Sequence, residues 1–200
     1  MDTAKETLHR YLRTQRDALL WKLDGLGEYD LRRPMTPTGT NLLGLVKHVA
    51  SVQLGYLGDV FGRPSGIALP WHDEDAEDNA DMWATAEETT AEVLELWRRS
   101  CEHADGTVAA LDLDAAGEVP WWRGERRRVT LYTILVHLGF EVARHAGHAD
   151  IVRELIDGHA GLRTEVSNLP DRDEAWWSSY VGRLEEAANR AAGRAATPHA

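Results

Sequence analysis

Residues 131–158 read LYTILVHLGFEVARHAGHADIVRELIDG. Leu131, Ile134 and Leu138 set a three-four spacing that Val152 and Leu155 resume in phase, so the segment reads as one long helix. Thr130 stands at its start as a cap, and Gly158 closes it. Between the two apolar ends the same stripe is polar: Glu141, His145 and His148 occupy it. A carboxylate aimed at a bundle interior needs a cation, a hydrogen-bonded partner or a proton, and a metal ion would answer all three residues at once.

Glu141 and His145 are four residues apart, which puts their Cβ atoms about 6 Å from each other on one helix face. His137 precedes Glu141 by the same interval, but it is separated from His145 by about 12 Å along the axis, too far for one ion to join all three. The remaining ligand must come from another helix. His48 in LVKHVASVQ, beside Leu45 and Val52, is the candidate, with the small residues Gly44 and Gly55 on the same side giving either room for a ligand or close helix packing. Two histidines and one carboxylate leave coordination positions open, as in catalytic zinc and non-haem iron sites. His148 reads as a fourth ligand, a partner orienting His145 or Glu141, or a proton acceptor for substrate.

Outward from this segment, helical punctuation is dense and alternating β-branched runs are scarce, so the fold class is all-α. Thr3 and Glu6 have capping-box spacing for a first helix reaching Gly25 or Gly27, with Leu8, Leu12, Leu19 and Leu23 inward. GLGEYDLRRPMTPTG follows as a loop. Thr40 or Asn41 caps a second helix to about Phe61, with Leu42, Leu45, Val49, Val52 and Tyr56 along one stripe. Residues 71–81 are acidic and unpatterned and read as a surface connection. Thr85 and Glu88 repeat the capping-box spacing before a third helix to about Ala104, carrying Val93, Leu96 and Trp97. A long connection holds Pro120, Trp121 and Trp122, and the final helix, from about Asp173 to Ala192, carries Trp176, Trp177, Tyr180 and Leu184. The expected organisation is a single domain over 1–200, with 193–200 a frayed tail.

The 200 residues are 43% hydrophobic and 28% charged, enough for a soluble domain with a core. The longest apolar run is about half the ~20 residues a membrane helix needs. The opening MDTAKETLHR is polar, and the single cysteine, Cys101, makes no internal disulfide, so the chain reads as cytoplasmic. A net charge of −11 makes nucleic acid a poor partner. The dense basic cluster is Arg123–Arg128 in WWRGERRRV. It reads either as a solvated turn or, with Trp121, Trp122 and Arg123, as a contact for a small acidic or sugar-bearing ligand.

On RRPMTPTGTNLLGLVKHVASVQLGYLGDVFGRP and VTLYTILVHLGFEVARHAGHADIVRELIDG, the chain resembles the DinB-like superfamily, in particular an actinobacterial branch of it. The resemblance implies a four-helix bundle, here with long connections and an additional C-terminal helix. It also implies a metal held by one histidine of the second helix and a pair four apart on a later one. That pair is commonly two histidines, and here the first is Glu141. The departure is similar to the pattern of mycothiol-dependent maleylpyruvate isomerases, so by resemblance the metal ligands are His48, Glu141 and His145.

Relatives include S-transferases that use mycothiol or bacillithiol. The implied function is therefore a metal-dependent S-transferase of mycothiol, with zinc expected and nickel or iron as alternatives. A thiol taken up at an open coordination position loses its proton more readily and attacks an electrophile in the cleft. His148 stands where the superfamily often has glutamine, and is the expected catalytic residue, taking the thiol proton or holding the cosubstrate. Trp121, Trp122 and Arg123 are expected to bind substrate, and the resemblance implies a homodimer. The competing readings are a thiol-cofactor-dependent isomerase of a small diacid, a non-catalytic metal-binding stress protein and an iron oxygenase.

Overall fold

The computed structural model describes residues 2–164 and 166–194. The part of the expected frayed tail from residue 195 onward lies outside the described residues. Two compact units are present, residues 1–167 and 168–200. The first is built on helices α1 (Ala4–Trp21), α2 (Glu28–Arg32), α3 (Leu42–Leu57), α4 (Thr90–Ala110) and α5 (Leu131–Asp157). A small antiparallel pair, β1 (Ala116–Glu118) and β2 (Arg128–Thr130), sits between α4 and α5 with Gly117 opposite Val129. The second unit carries α6 (Glu174–Ala191), where Asp173 caps the helix and Trp176 stacks on Tyr180 with ring centroids 5.2 Å apart. Among the described residues no helix is long and apolar enough to cross a membrane.

The caps follow the sequence chemistry in most places. Thr3 and Glu6 form a reciprocal capping box on α1, Asn41 caps α3, and Thr130 caps α5, which Gly158 closes in the left-handed conformation. One start differs from expectation. Thr85 and Glu88 do exchange backbone hydrogen bonds, at 2.8 and 3.3 Å, but α4 begins one turn later on a second box, Thr89 with Glu92. The reason lies in the neighbours. Arg32 donates to the carbonyl oxygens of Thr85 and Glu88, each at 2.8 Å, so this turn's acceptors serve α2 instead. The expected loop after α1 contains α2 for the same purpose: its Leu31 is buried and its Arg32 ties down the start of α4.

α3 packs against both α4 and α5, while α1 packs against α5. α3 is buried on nearly all sides, because a third partner covers it. The acidic connection between α3 and α4, expected at the surface, is strapped across this helix by directed polar contacts. Lys47, 2% exposed, donates to the carbonyls of Ala80 and Trp83 and pairs with Glu88 at 2.8 Å. Asn41 reaches the carbonyl of Met82, and Trp71 donates to Ser51. Gly44 is the point of closest approach, since a Cβ there would stand 1.8 Å from the Met82 carbonyl oxygen. Its smallness therefore serves close packing.

In α5 the buried line is Leu131, Ile134, Leu135, Leu138, Val142, Ala146, Ala149 and Val152. The apolar stripe is thus continuous, and Glu141 and His148 flank it instead of interrupting it. Leu155, expected inward, is 64% exposed. The buried group at that end is Arg153, whose guanidinium holds Asp157 and the carbonyls of Lys22 and Asp24.

Candidate metal centre

His48 comes from the middle of α3, and Glu141 and His145 from successive turns of α5. The helix–helix contact brings them together: His48 Nε2 lies 3.3 Å from Glu141 Oε1, and His145 Nε2 lies 3.0 Å from the same oxygen. All three ligand atoms fall within 4.8 Å of one another. Zinc ligands at about 2.0–2.1 Å in tetrahedral array stand about 3.3 Å apart, so the spacing suits one small ion.

The charge pattern points the same way. His48 Nδ1 donates to Asp81 Oδ2 at 2.6 Å, which fixes the ring and turns the Nε2 lone pair toward the Glu141 carboxylate. Two lone pairs facing each other require positive charge between them, a proton or a metal ion. Burial opposes charging of His48, but Asp81 and then Glu141 outweigh it and its pKa is raised. His145 is lowered, by burial first and by His48 second. Burial would raise the Glu141 carboxyl, yet His145 and His48 hold it below its ordinary value. Asp81 is pushed far below the usual carboxylate range by its hydrogen bonds to His48 and then His72. The donor set is thus two imidazoles and an ionised carboxylate with an outer carboxylate behind one imidazole, a composition that fits a divalent ion.

A cleft of about 450 Å³ opens beside Glu141 and His48, walled by Tyr56, Trp121, His137 and His72. A larger hollow of about 640 Å³ lies between α1 and α4, but it contains no such convergence. Several charged groups there are engaged in ion pairs, Arg16 with Asp105 and Arg98 with Glu102. Cys101 also lines it, with its thiol pKa pushed up by burial.

The other residues singled out from sequence fall in different places. Trp121 reaches the cleft, packed over Gly55, where a Cβ would meet it at 3.3 Å. Trp122 stands behind it, its ring 5.1 Å from that of His137. The β1–β2 hairpin presents both indoles, anchored by Val119, whose N–H donates to the Arg127 carbonyl and whose carbonyl accepts from Trp122 N–H. Arg123 is exposed and does not line this cleft. His148 is partly buried, with its ring 5.4 Å from that of His145. His137 lies outside the converging set and on the cleft wall, its pKa lowered by burial.

Asp81 was hidden in the acidic connection, where no spacing distinguishes it from its neighbours. In the sequence Tyr56 stands out only as part of the apolar stripe of α3. Asp81→Asn should leave the fold intact and weaken metal binding by roughly 10–100-fold, the usual cost of losing an outer carboxylate. Chelator competition on the purified variant checks this, and unchanged affinity would remove Asp81 from the centre.

A family model described as mycothiol-S-transferase matches residues 7–158, from α1 through α5 and across the whole convergence of His48, Glu141 and His145. No curated protein shows significant similarity to the chain.

Proposed function

The chain belongs to the mycothiol-S-transferase family, and from this premise we propose that it is a metal-dependent thiol S-transferase, with zinc held by His48, Glu141 and His145. The observation that carries the reading is the meeting of both imidazole Nε2 atoms at one Glu141 oxygen. A divalent ion there supplies positive charge and an open position that make a thiol ionise near neutral pH.

The chain's own residues do the rest. Asp81 holds the His48 ring by its Nδ1–H, so that Nε2 points inward. Glu141 contributes one negative charge, which would lower the net charge of an occupied centre and so favour a nucleophilic thiolate there. His148, one turn from His145, takes up the thiol proton. Tyr56, Trp121 and His137 form an aromatic wall against which an electrophile would lie. The reading includes mycothiol as cosubstrate, a homodimer and a cytoplasmic location.

The test is loss of mycothiol thiol in the presence of a reactive electrophile, followed with and without a chelator. The expected result is turnover that the chelator abolishes and added zinc restores. Turnover indifferent to chelation would overturn the metal-dependent reading. His148→Ala should retain metal and lose about 100-fold in rate, within the usual range for a general base. A full rate in that variant would remove His148 from the chemistry.

A further inference from the structure

The cleft wall holds a polar group that the metal-centred reading leaves unused. The Tyr56 hydroxyl accepts hydrogen bonds from both neighbouring indoles, Trp121 Nε1 at 3.1 Å and Trp122 Nε1 at 3.0 Å. An indole N–H only donates, so neither tryptophan can take the phenol's own hydrogen. No other described residue accepts it. Accepting two bonds also polarises the hydroxyl and strengthens its donation to a third partner.

Its direction is fixed before any substrate arrives. Tyr56 is 8% exposed, and its ring lies 5.2 Å from Trp121 and 4.7 Å from His137, centroid to centroid. Trp121 is seated on Gly55, and the Trp122 backbone is held by Val119. A donor aimed by its surroundings and not by the substrate pays no reorganisation when charge develops on its partner. The position matters as well. His137, whose ring packs on that of Tyr56, stands one helical turn, about 6 Å, from Glu141, and Tyr56, His137, Glu141 and His48 line the same cleft.

We propose that Tyr56 is a pre-aligned hydrogen-bond donor to the oxygen of an electrophile, and that the favoured electrophile is a flat α,β-unsaturated carbonyl compound. The inference rests on the thiol-transfer reading above and specifies its substrate class. In a conjugate addition the sulfur forms a bond to the β-carbon, the C=C electron pair moves toward the carbonyl, and negative charge appears on an oxygen several bonds beyond the attacked carbon. Tyr56 O–H donates to that oxygen. The proton released by the thiol is then added at the α-carbon, with no leaving group and no change of redox state overall. A displacement at an alkyl halide builds its charge on the departing halide and gives the hydroxyl no comparable acceptor. The aromatic wall suits a planar conjugated body over a tetrahedral one.

The experiment compares Tyr56→Phe with the parent holoenzyme on two electrophiles of similar ring size, 4-phenyl-3-buten-2-one and benzyl chloride, with mycothiol as thiol. The expected result is a loss of about 100-fold in kcat/KM for the enone, the range for one oxyanion donor, and a far smaller loss for the chloride, which shares the wall but offers the hydroxyl no oxygen. Trp122→Phe, which keeps the phenol and removes one of its two aligning bonds, should show a smaller loss confined to the enone. Equal losses on both electrophiles, or none, would overturn the proposal. A second readout needs no turnover: 4-nitrophenolate, a non-reacting oxyanion, should bind chelator-treated parent about tenfold more tightly than chelator-treated Tyr56→Phe, and equal binding would count against the donor. Absence of turnover in the parent with both electrophiles would defeat the thiol-transfer reading, while the nitrophenolate comparison would still decide the role of Tyr56.

Discussion

Glu141→Ala is expected to strip the protein of metal while leaving it folded. The carboxylate is the point on which both imidazoles converge, and without it His48 and His145 retain no common anionic partner. Loss of an outer partner alone costs roughly 10–100-fold in affinity, so loss of this ligand should exceed about 100-fold. Elemental analysis of protein purified without added metal or an affinity tag should find near-stoichiometric ion in the parent and almost none in the variant. The fold should survive, because Val142, Ala146 and Ala149 carry the core of α5 past this position. Melting curves measured beside the metal content check that. Equal metal in both samples would exclude Glu141 as a ligand.

The second large effect concerns stability. Lys47→Met should destabilise the protein by about 3 kcal/mol, at the lower end of the range for breaking a buried ion pair, because Glu88 retains some access to water. For a chain of this size that is a drop of roughly 6–12 °C in Tm. The methionine fills similar space but leaves the carbonyls of Ala80 and Trp83 without their donor. Those carbonyls flank Asp81 in sequence, so the variant should also bind metal more weakly than the parent. A Tm within about 2 °C of the parent, a shift worth at most about 1 kcal/mol, would show that the strap does not depend on Lys47.

These two positions also mark what the sequence could and could not disclose. The helices with strong local punctuation were legible: Thr130 and Gly158 bound α5 as expected, and Thr3 with Glu6 caps α1. So was the pairing of Glu141 with His145, because a four-residue interval on a helix is a local distance. His48 was accessible by a weaker route, as a histidine beside the apolar stripe of another helix. Tertiary choices were not legible. Thr85 with Glu88 has the same spacing as Thr89 with Glu92, and it is distant partners of the first pair, Arg32 on its carbonyls and Lys47 on the Glu88 carboxylate, that distinguish it from the pair that opens α4. Asp81 is one acid among many in its connection, and its selection depends on Lys47 and Asn41 drawing that segment across α3. The β1–β2 pair is three residues per strand, too short to show alternation, yet it sets the two indoles on the Tyr56 hydroxyl. The continuity of the α5 core through Val142, Ala146 and Ala149 was obscured by the polar residues beside it.

The most direct measurement is the absorption spectrum of the cobalt(II)-substituted protein titrated with mycothiol. If His48, Glu141 and His145 hold an ion that accepts a thiol, an intense sulfur-to-metal charge-transfer band should grow in and saturate near one thiol per metal, and His145→Ala should show no such band. A protein that retains cobalt but whose spectrum does not respond to thiol, or that cannot retain cobalt, would contradict the account.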